Sequence, residues 1–264
     1  LEKRGREDFG QTLGVWGASS GIGLHTAIEF SKYGANVTLF ARDEAKLLLA
    51  KNKLINLENQ DHNILVGDFN KPNEIFRVLN DKLENTKYNV LVNNSGGPKG
   101  GKIIEAENKE FQQTFNRHLI CNHMITKLVL PNMIETNYGR IINIISTSVK
   151  QPIVGLGVSN TIRAAVAAWA KTISLEINNN GITINNVLPG FTNTGRLDSI
   201  IKTKSQKSNL SIKKVTKELM DEVPLNRFAE PSEVAQLVTF LASKDASYIN
   251  GTSIPIDGGR ITTL

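Results

Sequence analysis

Residues Trp16-Gly17-Ala18-Ser19-Ser20-Gly21-Ile22-Gly23 form a glycine-rich turn between a short apolar run and an amphipathic stretch. The apolar run, Leu13-Gly14-Val15-Trp16, has the length of a buried strand, and after the turn Leu24, Ala27, Ile28 and Ser31 recur at helical spacing. The glycines therefore fall at a strand-to-helix junction. Glycine permits positive φ and close backbone approach, and the first N–H groups of a helix lack internal acceptors and favour an anion. With a second strand candidate at Asn36-Val37-Thr38-Leu39-Phe40, the pattern points to a βαβ unit that holds a pyrophosphate. A tight turn with no ligand is the plainer alternative.

From residue 11 onward, short apolar runs alternate with longer amphipathic ones. Strands are expected at 12–16, 36–40, 63–66, 89–93, 140–145, 182–187 and 253–256, and helices at 21–33, 43–59, 72–84, 108–136, 160–178 and 231–242. Strands that alternate with helices of this length imply crossover connections and a parallel α/β sheet covered on both faces. In such sheets the ligand lies beyond the carboxyl ends of the strands. The residues just after each strand are the ones that matter.

Composition closes off other classes. The 264 residues suffice for one full core, with 40% apolar and 21% charged residues. The single Cys121 excludes a disulfide framework and fits a reducing cytoplasm. No uninterrupted apolar stretch approaches the roughly 18 residues of a membrane span. The net charge of +6 is not gathered into a basic cluster interleaved with aromatics, so no nucleic-acid partner is expected. No metal site is expected either. Residues 1–10 read as a disordered arm or expression remnant, and 11–264 as one folded domain.

Three strand ends carry chemistry. After the second strand come Ala41, Arg42 and Asp43. A carboxylate at the strand end binds ribose hydroxyls, whereas an Arg there pairs with a 2′-phosphate, so the order leans toward NADP while Asp43 leaves NAD open. After the third strand, Gly67-Asp68-Phe69 offers Asp68 to an adenine amino group. After the fourth, Asn93-Asn94-Ser95-Gly96-Gly97-Pro98 lets backbone approach a flat ligand, although Asp and Asn-Gly also make ordinary turns.

Trp16 to Gly23, Asp68, Asn93 to Gly96, Gly139 to Ser146, Pro189-Gly190 and Asp257-Gly258-Gly259 together resemble a short-chain dehydrogenase/reductase of the classical type, over residues 12 to 260. The resemblance implies a single-domain Rossmann-type doubly wound sheet, a nicotinamide dinucleotide and a homodimer or homotetramer. It places the cofactor on Gly17, Ser19, Ser20, Gly21, Ile22, Gly23, Arg42, Asp68, Phe69, Asn94, Ser95, Gly96, Arg163, Pro189, Gly190, Thr192 and Thr194. Trp16 stands where the family generally has Thr, which removes a hydroxyl and is expected to crowd the glycine turn.

The family's chemistry rests on Ser, Tyr, Lys and an Asn. Gly139-Arg140-Ile141-Ile142-Asn143-Ile144-Ile145-Ser146 resembles the strand that ends in the catalytic Ser, so Ser146 carries over. The Tyr position falls on Ser159, the Lys position on Arg163, and the Asn position on His118. This resembles a divergent branch of the family that shares Ser159-Asn160-Thr161-Ile162-Arg163. A serine hydroxyl has no pKa near 10 to tune downward, and Arg163 stays protonated and binds hydroxyls without passing protons. His118 has an ordinary pKa suited to acid–base work. Either His118 or a water held by Ser159 and Arg163 supplies the proton while Ser146 polarises the carbonyl, or His118 merely fills the Asn niche and hydrogen-bonds backbone.

Residues 195–222 are polar and Lys-rich and resemble the variable substrate lid, either a plain solvated cover or a magnet for an anionic substrate. Two function classes follow. One is an NADP-dependent oxidoreductase of a small carbonyl or alcohol substrate, such as a 3-oxoacyl thioester, sugar or alcohol, with an atypical proton donor. The other is a dinucleotide-binding sensor or assembly protein without dehydrogenase activity.

Overall fold

The computed structural model describes residues 11–57, 60–83, 85–177 and 181–263, so the N-terminal arm lies outside the described residues. Seven strands form one sheet: β1 (Thr12–Trp16), β2 (Asn36–Ala41), β3 (Asn63–Val66), β4 (Val90–Asn93), β5 (Gly139–Ile144), β6 (Ile182–Pro189) and β7 (Ser253–Ile256). They pair in the order β3-β2-β1-β4-β5-β6-β7, and every pairing is parallel. The chain runs outward from β1 to β3, then returns past it to β4. That reversal opens a crevice between the strand ends, where a ligand binds.

The strand pleat sorts apolar residues to two faces. Leu13, Val15, Val37, Leu39, Val90, Val92, Ile142 and Ile144 meet α1 (Gly21–Lys32), α2 (Glu44–Lys51) and α9 (Pro231–Ala242). The alternate residues Trp16, Phe40, Leu91, Ile141 and Ile184 meet α3 (Pro72–Leu83), α5 (Cys121–Glu135) and α6 (Gly157–Glu176). Both faces are covered, which explains strands that are near-continuously apolar.

A row of amides crosses this second face. Asn93 Nδ2 donates to Asn143 Oδ1 at 2.9 Å, Asn143 Nδ2 to Asn186 Oδ1 at 3.0 Å, and Asn186 Nδ2 to Ser253 Oγ at 3.1 Å. The pairings Asn93↔Asn143↔Asn186↔Ser253 place all four residues in register on adjacent strands.

Several expected boundaries move. The helix expected over 43–59 closes at Lys51, where the chain turns toward β3. The helix expected over 108–136 is continuous but not uniform: α4 (Asn108–Phe115) passes into a π turn at Asn116–Ile120 and then into α5. The fifth strand starts and ends one residue earlier than expected, and the sixth runs on to Pro189. Residues 195–222 fold as two helices, α7 (Gly195–Ser208) and α8 (Ile212–Asp221), which bury Leu197, Ile201, Val215 and Leu219 against each other.

Trp16 corrects an expectation. Its ring turns away from the glycine turn and packs edge-on to Phe40, with centroids 4.8 Å apart, and toward Tyr88. It is fully buried in the second face. An indole fits there because Gly14, two residues back on the same face, has no side chain.

Candidate active site

The crevice at the strand ends holds a cavity of about 600 Å³. Its walls include Gly17, Ser19, Ser20, Gly21 and Ile22 from the first turn, Arg42 and Lys46 after β2, Asp68 and Phe69 after β3, Asn94 to Gly97 after β4, and Arg163 from α6. Pro189, Gly190, Thr192, Thr194 and Arg196 close the remaining side. The structure therefore brings nearly all the expected cofactor residues to one space. Gly23 stands one layer back, where it lets the turn and the helix meet.

The turn fits a pyrophosphate. Gly17 adopts φ +66°, and a Cβ there would lie 1.9 Å from the Asn94 carbonyl oxygen. A Cβ on Gly23 would lie 2.3 Å from the Gly17 carbonyl oxygen. Asn94 Nδ2 donates to that same carbonyl at 3.3 Å and ties the fourth strand end to the first. The N-terminus of α1 has no side-chain cap and no acidic residue in its first turn, so its free N–H groups face the cavity unopposed.

At the β2 end the strand closes on Ala41, and Arg42 and Lys46 project into the cavity. Asp43 lines the same cavity, but its carboxylate is engaged by Lys46. It caps α2 by accepting from Lys46 N at 3.0 Å and pairs with Lys46 Nζ at 3.1 Å, which holds its pKa below the usual carboxylate value. Asp68 uses Oδ1 to accept from Asn70 N and Asn70 Nδ2, so its other oxygen remains for a ligand. Phe69 is largely buried and packs edge-on to Phe40, with ring centroids 5.3 Å apart.

At the opposite end, α6 delivers Ser159 and Arg163 on one face, four residues apart. Arg163 Nε donates to Ser159 Oγ at 3.3 Å, and Arg163 Nη1 donates to the carbonyls of Ile144 and Ile145 at 3.2 and 2.8 Å. Burial, then the neighbouring charge of Arg196, pushes the Arg163 pKa down to about 10, still far above neutral. Ser146 follows β5, and its Oγ accepts from Ser148 N at 3.1 Å. Ser146, Ser159 and His118 are not among the residues that line this cavity; Ser159 and His118 are buried, and Ser146 is half-buried.

His118 lies in the π turn, the local widening that sequence periodicity does not reveal. Its Nδ1 meets Ser95 Oγ at 2.6 Å, and its Nε2 is buried without a partner. The side chain thus reaches Ser95, and the Gly96 main chain also acts on the ring. Burial first, then the charges of Arg163 and Arg117, hold its pKa well below the ordinary value, so the ring is neutral. Unfolding restores an ordinary pKa near 6.5, so the unfolded chain alone takes up a proton as the pH falls below that value. Wild-type stability is expected to fall by up to about 1.4 kcal/mol per pH unit below 6.5, and His118→Asn to flatten that slope in denaturant titrations between pH 7 and 5. An unchanged slope would show that the ring is charged in the fold.

Sequence reasoning missed Lys46, Arg117 and Arg196. Arg117 Nη2 donates to Asn70 Oδ1 at 2.6 Å and Nη1 to the Gly96 carbonyl at 3.3 Å, bracing the third and fourth strand ends. Arg196 Nη2 donates to the Pro98 carbonyl at 2.7 Å and joins α7 to the loop after β4. Lys46 was legible as one helical turn from Arg42, but the others depend on tertiary approach. Among the described residues, no group of three or more His, Cys, Asp or Glu could hold a metal ion. Among the same residues, no helix is long and apolar enough to cross a membrane.

The family model described as enoyl-(acyl carrier protein) reductase matches residues 17–260. The chain is a short-chain dehydrogenase/reductase. This family of NAD(P)-dependent oxidoreductases includes the 3-oxoacyl-(acyl-carrier-protein) reductase FabG of Rickettsia bellii, 30% identical over 258 residues that cover 96% of this chain and 97% of that protein. The oxidoreductase UcpA of Salmonella typhimurium is 32% identical over 261 residues, covering 95% and 94%. Among solved structures, the L-sorbose reductase of Gluconobacter frateurii, complexed with NADPH and L-sorbose, superposes with a TM-score of 0.91 at 28% identity, covering 98% of this chain and 99% of that one. A variant of actinorhodin polyketide ketoreductase with NADPH gives 0.87 at 29% identity, covering 95% and 97%. This short-chain dehydrogenase/reductase matches both along nearly its whole length.

Proposed function

We propose that this dehydrogenase/reductase transfers hydride between NADP(H) and a small carbonyl or alcohol substrate, of the 3-oxoacyl-thioester or sugar/alcohol kind, without a phenolic proton donor. One observation carries the reading: the glycine cradle, the Arg42–Lys46 cations and Arg163 line a single cavity at the strand ends. The dinucleotide, when bound, supplies or accepts the hydride. Gly17, Ser19, Ser20, Gly21, Ile22 and Gly23 hold its pyrophosphate, and Arg42 with Lys46 its 2′-phosphate. Asp68 and Phe69 bound the adenine, Asn94, Ser95, Gly96 and Arg163 the nicotinamide ribose, and Pro189, Gly190, Thr192 and Thr194 the nicotinamide.

The hydrogen bonds also support roles for the two hydroxyls. Ser146 Oγ already accepts from Ser148 N, and Ser159 Oγ from Arg163 Nε, so each keeps its O–H to donate. Ser146 donates to the carbonyl oxygen, and a water held by Ser159 and Arg163 delivers the proton. Neutral His118 positions Ser95. The domain spans 11–264, with α7 and α8 over the substrate end. A homodimer or homotetramer follows from the family resemblance, and a cytoplasmic location from the single, reduced Cys121.

A second reading has its own observation. None of the four tyrosines lines the cavity: Tyr88 bonds Thr38, Tyr138 bonds the Ala242 carbonyl, Tyr248 is fully exposed, and Tyr33 packs against the first core face. A dinucleotide sensor needs no such group. Titration with NADPH and NADH, then NADPH oxidation over 3-oxoacyl thioesters, ketoses and simple ketones, separates the readings. We expect tighter NADPH binding and turnover on at least one carbonyl class. Tight binding with no turnover on any class favours the sensor, and absence of dinucleotide binding overturns both.

A further inference from the structure

Two arginines converge on one stretch of the cavity wall. A Cβ placed on Gly97 would lie 3.5 Å from Arg163 Nη2 and 3.7 Å from Arg196 Nη2. One guanidinium arrives from α6, buried under the β5 strand end, and the other from the first turn of α7, exposed at the mouth. The like charges repel, and each depresses its own proton affinity through burial. Neither has a carboxylate partner among the described residues, where Arg227 and Arg260 pair with Glu233 and Glu222. A buried charge without a counter-charge is unfavourable unless something supplies one.

Arg140 shows what an arginine with no such role looks like. It too is buried without a carboxylate, but it spends its donors on the carbonyls of Ser243, Gly139 and Gly181 and lies over the Tyr138 ring at 4.3 Å. It does not line the cavity at the strand ends. Arg163, by contrast, uses Nε and Nη1 on neutral acceptors and keeps Nη2, which makes no hydrogen bond among the described residues, for the cavity. Arg196 commits only Nη2, to the Pro98 carbonyl.

We propose that Arg163 and Arg196 form a receptor for an oxyanion carried by the substrate, a carboxylate or a phosphate ester on the carbonyl compound. The inference rests on the reading under Proposed function and narrows its substrate class. Position argues against the cofactor's own phosphates as the occupant. Those have the glycine turn and the Arg42–Lys46 pair at the ends of β1 and β2, whereas Arg163 is hydrogen-bonded to Ser159 beside the end of β5. An anion held there takes one of the two Nη2 N–H groups of Arg163, leaving the other for the ribose, and sits next to the Ser159 hydroxyl. Guanidinium pairs suit such groups because their N–H donors match oxyanion geometry.

Calorimetric titration of the NADP⁺-saturated protein tests this, with malonate, inorganic phosphate and the uncharged dimethyl malonate as probes. NADP⁺ affinity is measured first. We expect malonate or phosphate to bind and the diester not to bind. Arg196→Met should weaken the anion by about tenfold or more while NADP⁺ affinity changes less than about threefold, and Arg196→Lys, which keeps the charge but not the planar fork, should restore only part of the loss. Malonate alone binding names a carboxylate, and phosphate alone names a phosphate ester. If neither anion exceeds the diester, or if Arg196→Met weakens NADP⁺ as much as the anion, the receptor is overturned while the dinucleotide reading stands. If NADP⁺ itself fails to bind, the reading under Proposed function falls first, and the receptor with it.

Discussion

Gly17→Ala is expected to weaken NADP(H) binding by more than about 100-fold and to lower the unfolding free energy by about 1–3 kcal/mol. Two causes add. The residue sits at φ +66°, which a Cβ disfavours, and that Cβ would lie 1.9 Å from the backbone carbonyl oxygen of Asn94. No side chain can swing aside, because the obstacle is main chain. The first turn and the loop after β4 must part, which breaks the Asn94 Nδ2 bond to the Gly17 carbonyl and opens both walls of the cradle. Gly96→Ala is the control, since its Cβ would meet nothing within 4 Å and should leave stability nearly unchanged. Fluorescence titration with NADPH and urea unfolding read the two quantities separately. Unchanged affinity in folded Gly17→Ala would remove this turn from the pyrophosphate site.

Asn143→Leu should be the most damaging single change in the sheet, at about 2–6 kcal/mol in urea unfolding. Asn143 is fully buried and at once accepts from Asn93 and donates to Asn186. Leucine fills the volume but strands both neighbours, and each orphaned buried polar group costs about 1–3 kcal/mol. Asn93 is the more exposed to this loss, because its Oδ1 already lacks a partner. Ile141→Val, two residues earlier on the same face, should cost only about 0.5–1.5 kcal/mol, since it removes one methyl group. Equal effects from the two variants would show that the amide row contributes nothing beyond its volume.

Much of this was legible before any coordinates. The short apolar runs separated by amphipathic stretches located all seven strands to within two residues, because a parallel sheet buried on both faces leaves near-continuous apolar runs. The glycine turn and the residues after the second, third and fourth strands converge on one cavity because a doubly wound sheet puts all strand ends on one side. Three things were not legible. The π turn at Asn116–Ile120 leaves the apolar spacing almost untouched, so the reorientation of His118 toward Ser95 is invisible in periodicity. Trp16 looked like an obstruction to the turn because sequence does not say which face of β1 it takes; the pleat sends it into the core. Arg196 looked like one cation among many in a polar segment, and only the packing of α7 against the loop after β4 brings it to Arg163.

The amide row also bears on how the chain finds its fold. Six parallel pairings, each bridged by a long crossover, offer many ways to join the right strands with the wrong alignment. A slip of one residue would turn Asn143 toward the opposite face, beside Val187 in one direction and, in the other, beside Asn185, whose amide is already held by the Ile249 carbonyl and Thr252 N–H. A slip of two would keep the face but set it beside Ile184 or Leu188 instead of Asn186. Either error strands a buried amide, whereas an all-aliphatic row would tolerate both. The ladder from Asn93 to Ser253 thus acts as a proofreading device in assembly, rejecting misaligned sheets that hydrophobic burial alone would accept.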